Sequence, residues 1–377
     1  MKLVYLDNAA TTKMSKRVIE EMTKSFENIY GNPSSTHTLG QKAKAVVENA
    51  RHIVAKNLKV EAKEIVFTSG GAEGNNLVIK GFLKQNKDKG KHIITTKIEH
   101  STVLKTFESL EKQGYDVTYI DVTKDGIIDV EKLKKAVRKD TALVSVMFVN
   151  NETGVIQPIK EIGEFLKEKE IFFHTDAVQA IGKFEIYPKE LIIDALTVSS
   201  HKFYGPKGTG FVFIDKKYNI EKEIFGGSQE RNRRAGTENV NGILGTGVAL
   251  EEVYEKMEVI FEHEKKIQEY LEEKLKNEIG RIQKVEINGE NSRRVKNITN
   301  VFIENTDIQM LLVALDMRGI CVSGGSACMS GSLENSYVLE AMGLNDEKLK
   351  SSFRISIGKD TTIEEIDYFI ENLKEII

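Results

Sequence analysis

With 377 residues, 40% hydrophobic and 29% charged, the chain has the composition of a folded globular protein long enough for two domains or three. Its net charge is −3 with both signs scattered along the chain, which leaves no basic stripe to follow a phosphate backbone and excludes nucleic acid as an expected partner. Asp7 interrupts the start before an apolar signal core can form, and the longest apolar run, Ala142 to Val149 broken only by Ser145, is strand length; no membrane segment is expected, and a cytoplasmic location is the default.

The first two-thirds alternates two patterns. Short apolar, β-branched runs predict strands over 64–68, 92–96, 116–121, 142–149, 171–175, 195–199 and 210–214. Amphipathic stretches at 101–113, 130–137 and 159–169 lie between several of them, the last with Ile159, Ile162, Phe165 and Leu166 on one face. Strand–helix–strand alternation with buried strands predicts an α/β fold with a mostly parallel sheet covered by helices, whose ligands sit beyond the carboxyl ends of the strands.

A second region begins in the segment 239–279, where Val253, Met257, Ile260, Ile267, Leu271 and Leu275 recur at helical spacing and predict one amphipathic helix leading into a second domain. The rest reads as α+β: a strand at 300–303, a helix at 307–317, a loop, a helix at 334–342, a strand at 352–357 and a last helix from Ile363. No internal repeat is visible, and four prolines make no proline-rich linker.

Three polar clusters follow predicted strand ends. Thr68-Ser69-Gly70-Gly71-Ala72-Glu73-Gly74-Asn75-Asn76 offers backbone N–H groups and a helix start to an anion, although a tight structural turn reads equally well. In Phe173-His174-Thr175-Asp176-Ala177-Val178-Gln179 a carboxylate ends an apolar strand, where it needs a partner or caps a helix. In Ser199-Ser200-His201-Lys202 a lysine follows a buried strand, where desolvation lowers its pKa and favours a Schiff base; alone, it would be an ordinary turn lysine. Together the three supply what pyridoxal phosphate needs: donors for the phosphate, an acid for the ring nitrogen and an amine for the aldehyde.

The two cysteines are Cys321 and Cys328, a spacing that fits no zinc site, and no metal is expected. Cys321, inside Gly319-Ile320-Cys321-Val322, reads as a small buried hydrophobe. Cys328, between Ser323-Gly324-Gly325-Ser326-Ala327 and Met329-Ser330-Gly331-Ser332, reads as an accessible loop thiol.

Ordered motifs span nearly the whole chain: Tyr5-Leu6-Asp7-Asn8-Ala9-Ala10-Thr11-Thr12, Gly31-Asn32-Pro33-Ser34-Ser35-Thr36-His37, Glu99-His100, Asn150-Asn151-Glu152-Thr153-Gly154, His174 to Gln179, Ser199 to Lys202, Gly236-Thr237-Glu238-Asn239, Ser326-Ala327-Cys328 and Ser351-Ser352-Phe353-Arg354. In these the sequence resembles the cysteine desulfurases of iron–sulfur cluster assembly and nitrogen fixation, class V of the fold-type I aminotransferases. The resemblance implies a large domain over 15–257 with a seven-stranded sheet, and a smaller α+β domain from 1–14 with 258–377 that carries the cysteine loop. It implies that Lys202 holds pyridoxal phosphate, Asp176 pairs with the ring nitrogen, His100 stacks on the ring and handles a proton, and Gln179 bonds the ring's phenolic oxygen. Gly71 and Ala72 backbone, Ser199, His201 and, across a homodimer interface, Thr237 would hold the phosphate. Arg354 would bind the substrate carboxylate with Asn151 beside it, Asn151 also bordering the cofactor. Cys328 would take the sulfur of L-cysteine as a persulfide, release alanine, and pass sulfur to an acceptor protein, a cluster scaffold or a tRNA thiolation enzyme.

Ala72, where many relatives have threonine, Ser228 and Asn232, where glycine is commoner, and Ala235, where serine is, depart from that pattern. Two other readings stand beside it: a selenocysteine lyase or cysteine-sulfinate desulfinase on the same fold, and a non-catalytic scaffold, against which intact Lys202, Asp176 and Cys328 argue.

Overall fold

All seven strand patterns of the first two-thirds join one sheet. The structure, a computed structural model, describes residues 2–325 and 335–377, so Cys328 lies outside the described residues. Across the sheet the order is Ile65–Thr68, Gly210–Ile214, Ala195–Ser199, Phe172–Asp176, Thr141–Ser145, His92–Thr96, Asp116–Ile120. Every neighbouring pair is parallel except those made by Gly210–Ile214, which runs against both its neighbours. Six strands are buried along their whole length, and only the edge strand Asp116–Ile120 is partly exposed. That is why they read as continuous apolar runs and not as alternating ones. The 142–149 run is divided: pairing as a strand ends at Ser145, while Val146 and Phe148 still donate to the carbonyls of His174 and Asp176 at 3.1 and 2.9 Å.

From His92–Thr96 the chain steps outward to Asp116–Ile120, then returns to the other side as Thr141–Ser145. This reversal opens a crevice at the carboxyl ends of those strands, the place where ligands enter such sheets. The helix Gly71–Gln85 crosses the sheet closely enough to require glycine: a Cβ on Gly74 would stand 2.6 Å from Thr197 Cγ2. Two helices absent from the sequence reading, Lys16–Asn28 and Thr38–Asn57, pack against Val240–Glu255.

The expected single helix over 239–279 is two, Val240–Glu255 and Met257–Asn277, with Lys256 off helical geometry between them. Val240–Glu255 is buried nearly all round in the large core, whereas Met257–Asn277 turns Ile267, Leu271 and Leu275 toward a second one. Two cores in different directions need two helix axes. The second core lies under a three-stranded antiparallel sheet in the order Ser352–Ser356, Ile298–Ile303, Val285–Ile287, backed by Ile308–Asp316 and Ile363–Ile376.

Val4 and Leu6 belong to that second core although they open the chain, and Val4–Tyr5 pairs in parallel with Ile320–Cys321. Cys321 is consequently half-buried in a strand pair, not the fully buried hydrophobe its apolar neighbours suggested. Among the described residues no helix is long and apolar enough to cross a membrane.

Candidate active site

Residues at or just past the ends of five strands of the large sheet, together with Arg354 and the start of the chain, line a cavity of about 520 Å³. Ten residues singled out from the sequence line it: Gly71, Ala72, His100, Asn151, Asp176, Gln179, Ser199, His201, Lys202 and Arg354. Thr237 is exposed and does not line it.

Asp176 ends the strand Phe172–Asp176 and is buried, so its carboxylate needs donors. Val178 N–H donates to Oδ1 at 3.0 Å, and Asn75 Nδ2 to Oδ2 at 2.7 Å. Asn75, itself fully buried, also donates to Thr102 Oγ1 at 2.9 Å, tying the carboxylate to the helix that carries His100. His100 caps that helix, Ser101–Glu111, with Nδ1 accepting the Thr102 N–H at 3.2 Å, which places the ring proton on Nε2.

Lys202 follows the strand Ala195–Ser199 through a single helical turn, Ser200–Lys202, and its Nζ donates to the carbonyls of Ala9 and Ala10 at 2.5 and 2.9 Å. Gln179 Nε2 donates to the same Ala9 carbonyl at 2.8 Å. The N-terminal residues are thus brought into the cavity wall. His201 Nδ1 meets Thr11 Oγ1 at 3.1 Å, and burial, helped by the charges of Lys202 and Lys207, pushes its pKa down to about 4, which leaves a neutral ring at pH 7.

The anion-binding side is the start of Gly71–Gln85, where the N–H groups of the first turn have no intrahelical acceptor. Gly70, at φ 146°, makes the entry, in a region closed to most side chains. Nearby, the loop of the family departures is held from below. Arg51 grips Glu230 in a buried two-bond pair at 2.7 and 2.8 Å, and Glu230 also accepts the Phe67 N–H at 2.9 Å. Glu230, Arg231 and Asn232 stand at positive φ, a conformation asparagine tolerates better than most residues and glycine best, so Asn232 suits a position where the resemblance led to an expectation of glycine.

At the other corner Arg354, on strand Ser352–Ser356, is 1% exposed. Nη1 donates to the Asn151 carbonyl and Nη2 to Asp7 Oδ1, both at 2.8 Å, while Nε and Asn151 Oδ1 have no hydrogen-bond partner among the described residues. A ligand carrying a carboxylate and donors would meet both.

The class-V aminotransferase family model matches residues 4–369. The chain belongs to this family, among its cysteine desulfurases. It is 48% identical to "Cysteine desulfurase IscS" of Clostridium botulinum (strain Hall) over its whole length and 94% of that relative. Among solved structures it is similar to a "NifS-like protein" (TM-score 0.93, 38% identity, 100% and 99% of the two chains) and to "SspA in complex with cysteine" (TM-score 0.84, 35% identity, 95% and 100%).

The family's enzymes depend on pyridoxal phosphate, and the residues present fit that group. An amine, a doubly supported strand-end carboxylate, a helix start with spare N–H groups and a neutral histidine face one cavity. Sequence reasoning missed the supports: Asn75 behind Asp176, Asp7 behind Arg354, and the Arg51–Glu230 pair. Asn75 and Asp7 stand within quoted motifs but carry no reactive group of their own, and nothing in the spacing from 51 to 230 signals a contact.

Proposed function

We propose that the protein takes sulfur from L-cysteine onto Cys328 and releases L-alanine. The observation that carries this reading is the meeting in one cavity of Lys202, Asp176 and Arg354, drawn from three separate strands or strand ends. Pyridoxal phosphate, when bound, supplies an aldehyde that condenses with amines and a ring that accepts electrons from the substrate's Cα.

Lys202 would hold that group through its amine and would move the substrate's Cα proton. Asp176 would serve the ring nitrogen, and the donors Asn75 and Val178 hold its carboxyl group in place. His100 would cover the ring and exchange a proton with the substrate, Gln179 and Asn151 would border the ring, and Arg354 with Asn151 would take the substrate carboxylate. The N–H groups of Gly71 and Ala72, the Ser199 hydroxyl, neutral His201 and, in a homodimer, Thr237 of the second copy hold the phosphate. Cys328, as thiolate, bonds the substrate's sulfur: the C–S bond breaks, an S–S bond forms, and a proton completes the alanine methyl.

A large domain at 15–257 and a smaller one from 1–14 with 258–377 are proposed to frame the site; two separate hydrophobic clusters support this division, with Ala9, Ile260, Val295 and Ile298 of the smaller part packing into the larger cluster. A cytoplasmic homodimer delivering sulfur to a protein acceptor for iron–sulfur clusters or thiolated cofactors completes the reading; the relatives' name supports its cysteine desulfuration. The test is to mix the protein with cysteine and measure alanine and sulfide, then repeat with Cys328→Ser. Equal alanine from both proteins would remove Cys328 from the reaction.

A further inference from the structure

Two buried carboxyl groups beside the cavity have no task in this chemistry. Glu152 follows Asn151, is fully buried, and accepts a hydrogen bond from Ser336 Oγ to Oε2 at 2.5 Å. Gly325 is near the same oxygen: a Cβ built on it would stand 3.4 Å away. Gly325 and Ser336 are the flanks of the segment that contains Cys328, so one carboxyl oxygen bonds one flank and lies near the other. A second tie joins the far flank to the wall: Tyr337 Oη donates to the carbonyl of Glu99, the neighbour of His100, at 2.8 Å. A third joins the near flank: Ser323 and Arg354 exchange backbone bonds of 3.2 and 2.7 Å. Each anchor is therefore next in sequence to, or paired with, a residue that faces the cavity.

We propose that Glu152 is a positioning residue for the sulfur-transfer step, holding Ser336, a described residue that follows the Cys328-bearing segment, beside Asn151 and Arg354. It does not line the cavity and acts through Ser336. Burial pushes its carboxyl above the ordinary carboxylate range, so a neutral amide of the same shape can still accept from Ser336. This inference rests on the desulfurase reading for its turnover arm only.

The experiment uses the full-length protein loaded with pyridoxal phosphate, in four forms: unaltered, Glu152→Ala, Glu152→Gln and Ser336→Ala. Two quantities are read: alanine production against cysteine concentration, and the iodoacetamide labelling rate of Cys328 relative to Cys321, the two cysteines of the chain, by mass spectrometry. Glu152→Ala and Ser336→Ala should lower kcat by about tenfold, leave KM and the bound cofactor's absorbance unchanged, and raise the Cys328/Cys321 labelling ratio several-fold. Glu152→Gln should bring both readouts back toward those of the unaltered protein. The proposal is overturned if Ser336→Ala changes neither readout, if KM or absorbance moves with kcat, or if Cys321 labelling rises in step with Cys328. An unaltered protein that makes no alanine would defeat the desulfurase reading, while the labelling ratio would still decide the role of Glu152.

Discussion

The floor and the far corner of the cavity are built on opposite terms. On the floor Asp176 has a donor on each oxygen and Lys202 rests on two carbonyls, while Asn75 Oδ1 is buried without a partner among the described residues. At the corner Arg354 Nε, Asn151 Oδ1 and Glu152 Oε1 are all buried without partners among the described residues. An unsatisfied buried polar group costs roughly 1–3 kcal/mol. The floor is thus stable by itself and suited to a resident group, whereas the corner gains most when a ligand arrives and suits a substrate that comes and goes. The protein's own strands build the first, and the junction of its two cores builds the second.

The sharpest break is at the floor. Lys202→Ala should lower alanine production from cysteine by at least roughly 10³-fold, since groups that act as a unit lose nearly everything together; turnover within tenfold of the unaltered protein would detach Lys202 from the chemistry. The floor's independence can be attacked from beneath. Glu230→Ala removes the two-bond partner of Arg51 from a pair whose side chains are each 3% exposed, leaving the guanidinium only the Glu48 carboxylate and the Ile65 carbonyl, and should cost about 3 kcal/mol in urea unfolding whether or not cofactor is bound. A loss under about 1 kcal/mol would show that the loop at Glu230 does not support the strand Ile65–Thr68.

At the corner the effect should fall on binding. Arg354→Lys keeps the charge but loses the planar fork, and should raise KM for cysteine by about 10–100-fold with a smaller change in kcat. Because the corner is not what holds the fold together, its urea midpoint should move less than that of Glu230→Ala. A fall in kcat at constant KM would place Arg354 elsewhere in the reaction.

The floor was more legible in the sequence than the corner. Parallel strands buried on both faces announce themselves as apolar runs, and reactive residues cluster where such runs stop, so Asp176 and Lys202 could be found from local pattern. The corner joins residues 7, 151 and 354, and only the family motifs had brought Asn151 and Arg354 together. Asp7 escaped notice because a carboxylate near the start of a chain resembles any surface acid. The break at Lys256 escaped for a related reason: helical spacing continues through it, and only the direction of the two cores separates the helices.

The smallest expected effect lies at the seam between the two regions, in Glu99. Its Oε1 accepts from Met147 N–H and Thr96 Oγ1, its Oε2 has no partner among the described residues, and burial, reinforced by the Asp176 charge, pushes its pKa up to about 8. Between its ordinary value of 4.5 and that figure, the folded chain holds a proton the unfolded chain has lost. Its contribution to stability is therefore complete below pH 4.5 and is lost as pH rises through 8. His174 slopes the other way: burial lowers it to about 3, so its contribution is present above pH 6.5 and is lost as pH falls toward 3. From pH 6.5 to 8 only Glu99 of the two changes stability, by at most about 2 kcal/mol over that interval. Glu99→Gln carries no proton to lose, so its urea midpoint should decline less from pH 6.5 to 8 than that of the unaltered protein. Parallel declines would mean that Glu99 is ionised in the fold, and that the floor's negative charge does not reach the seam.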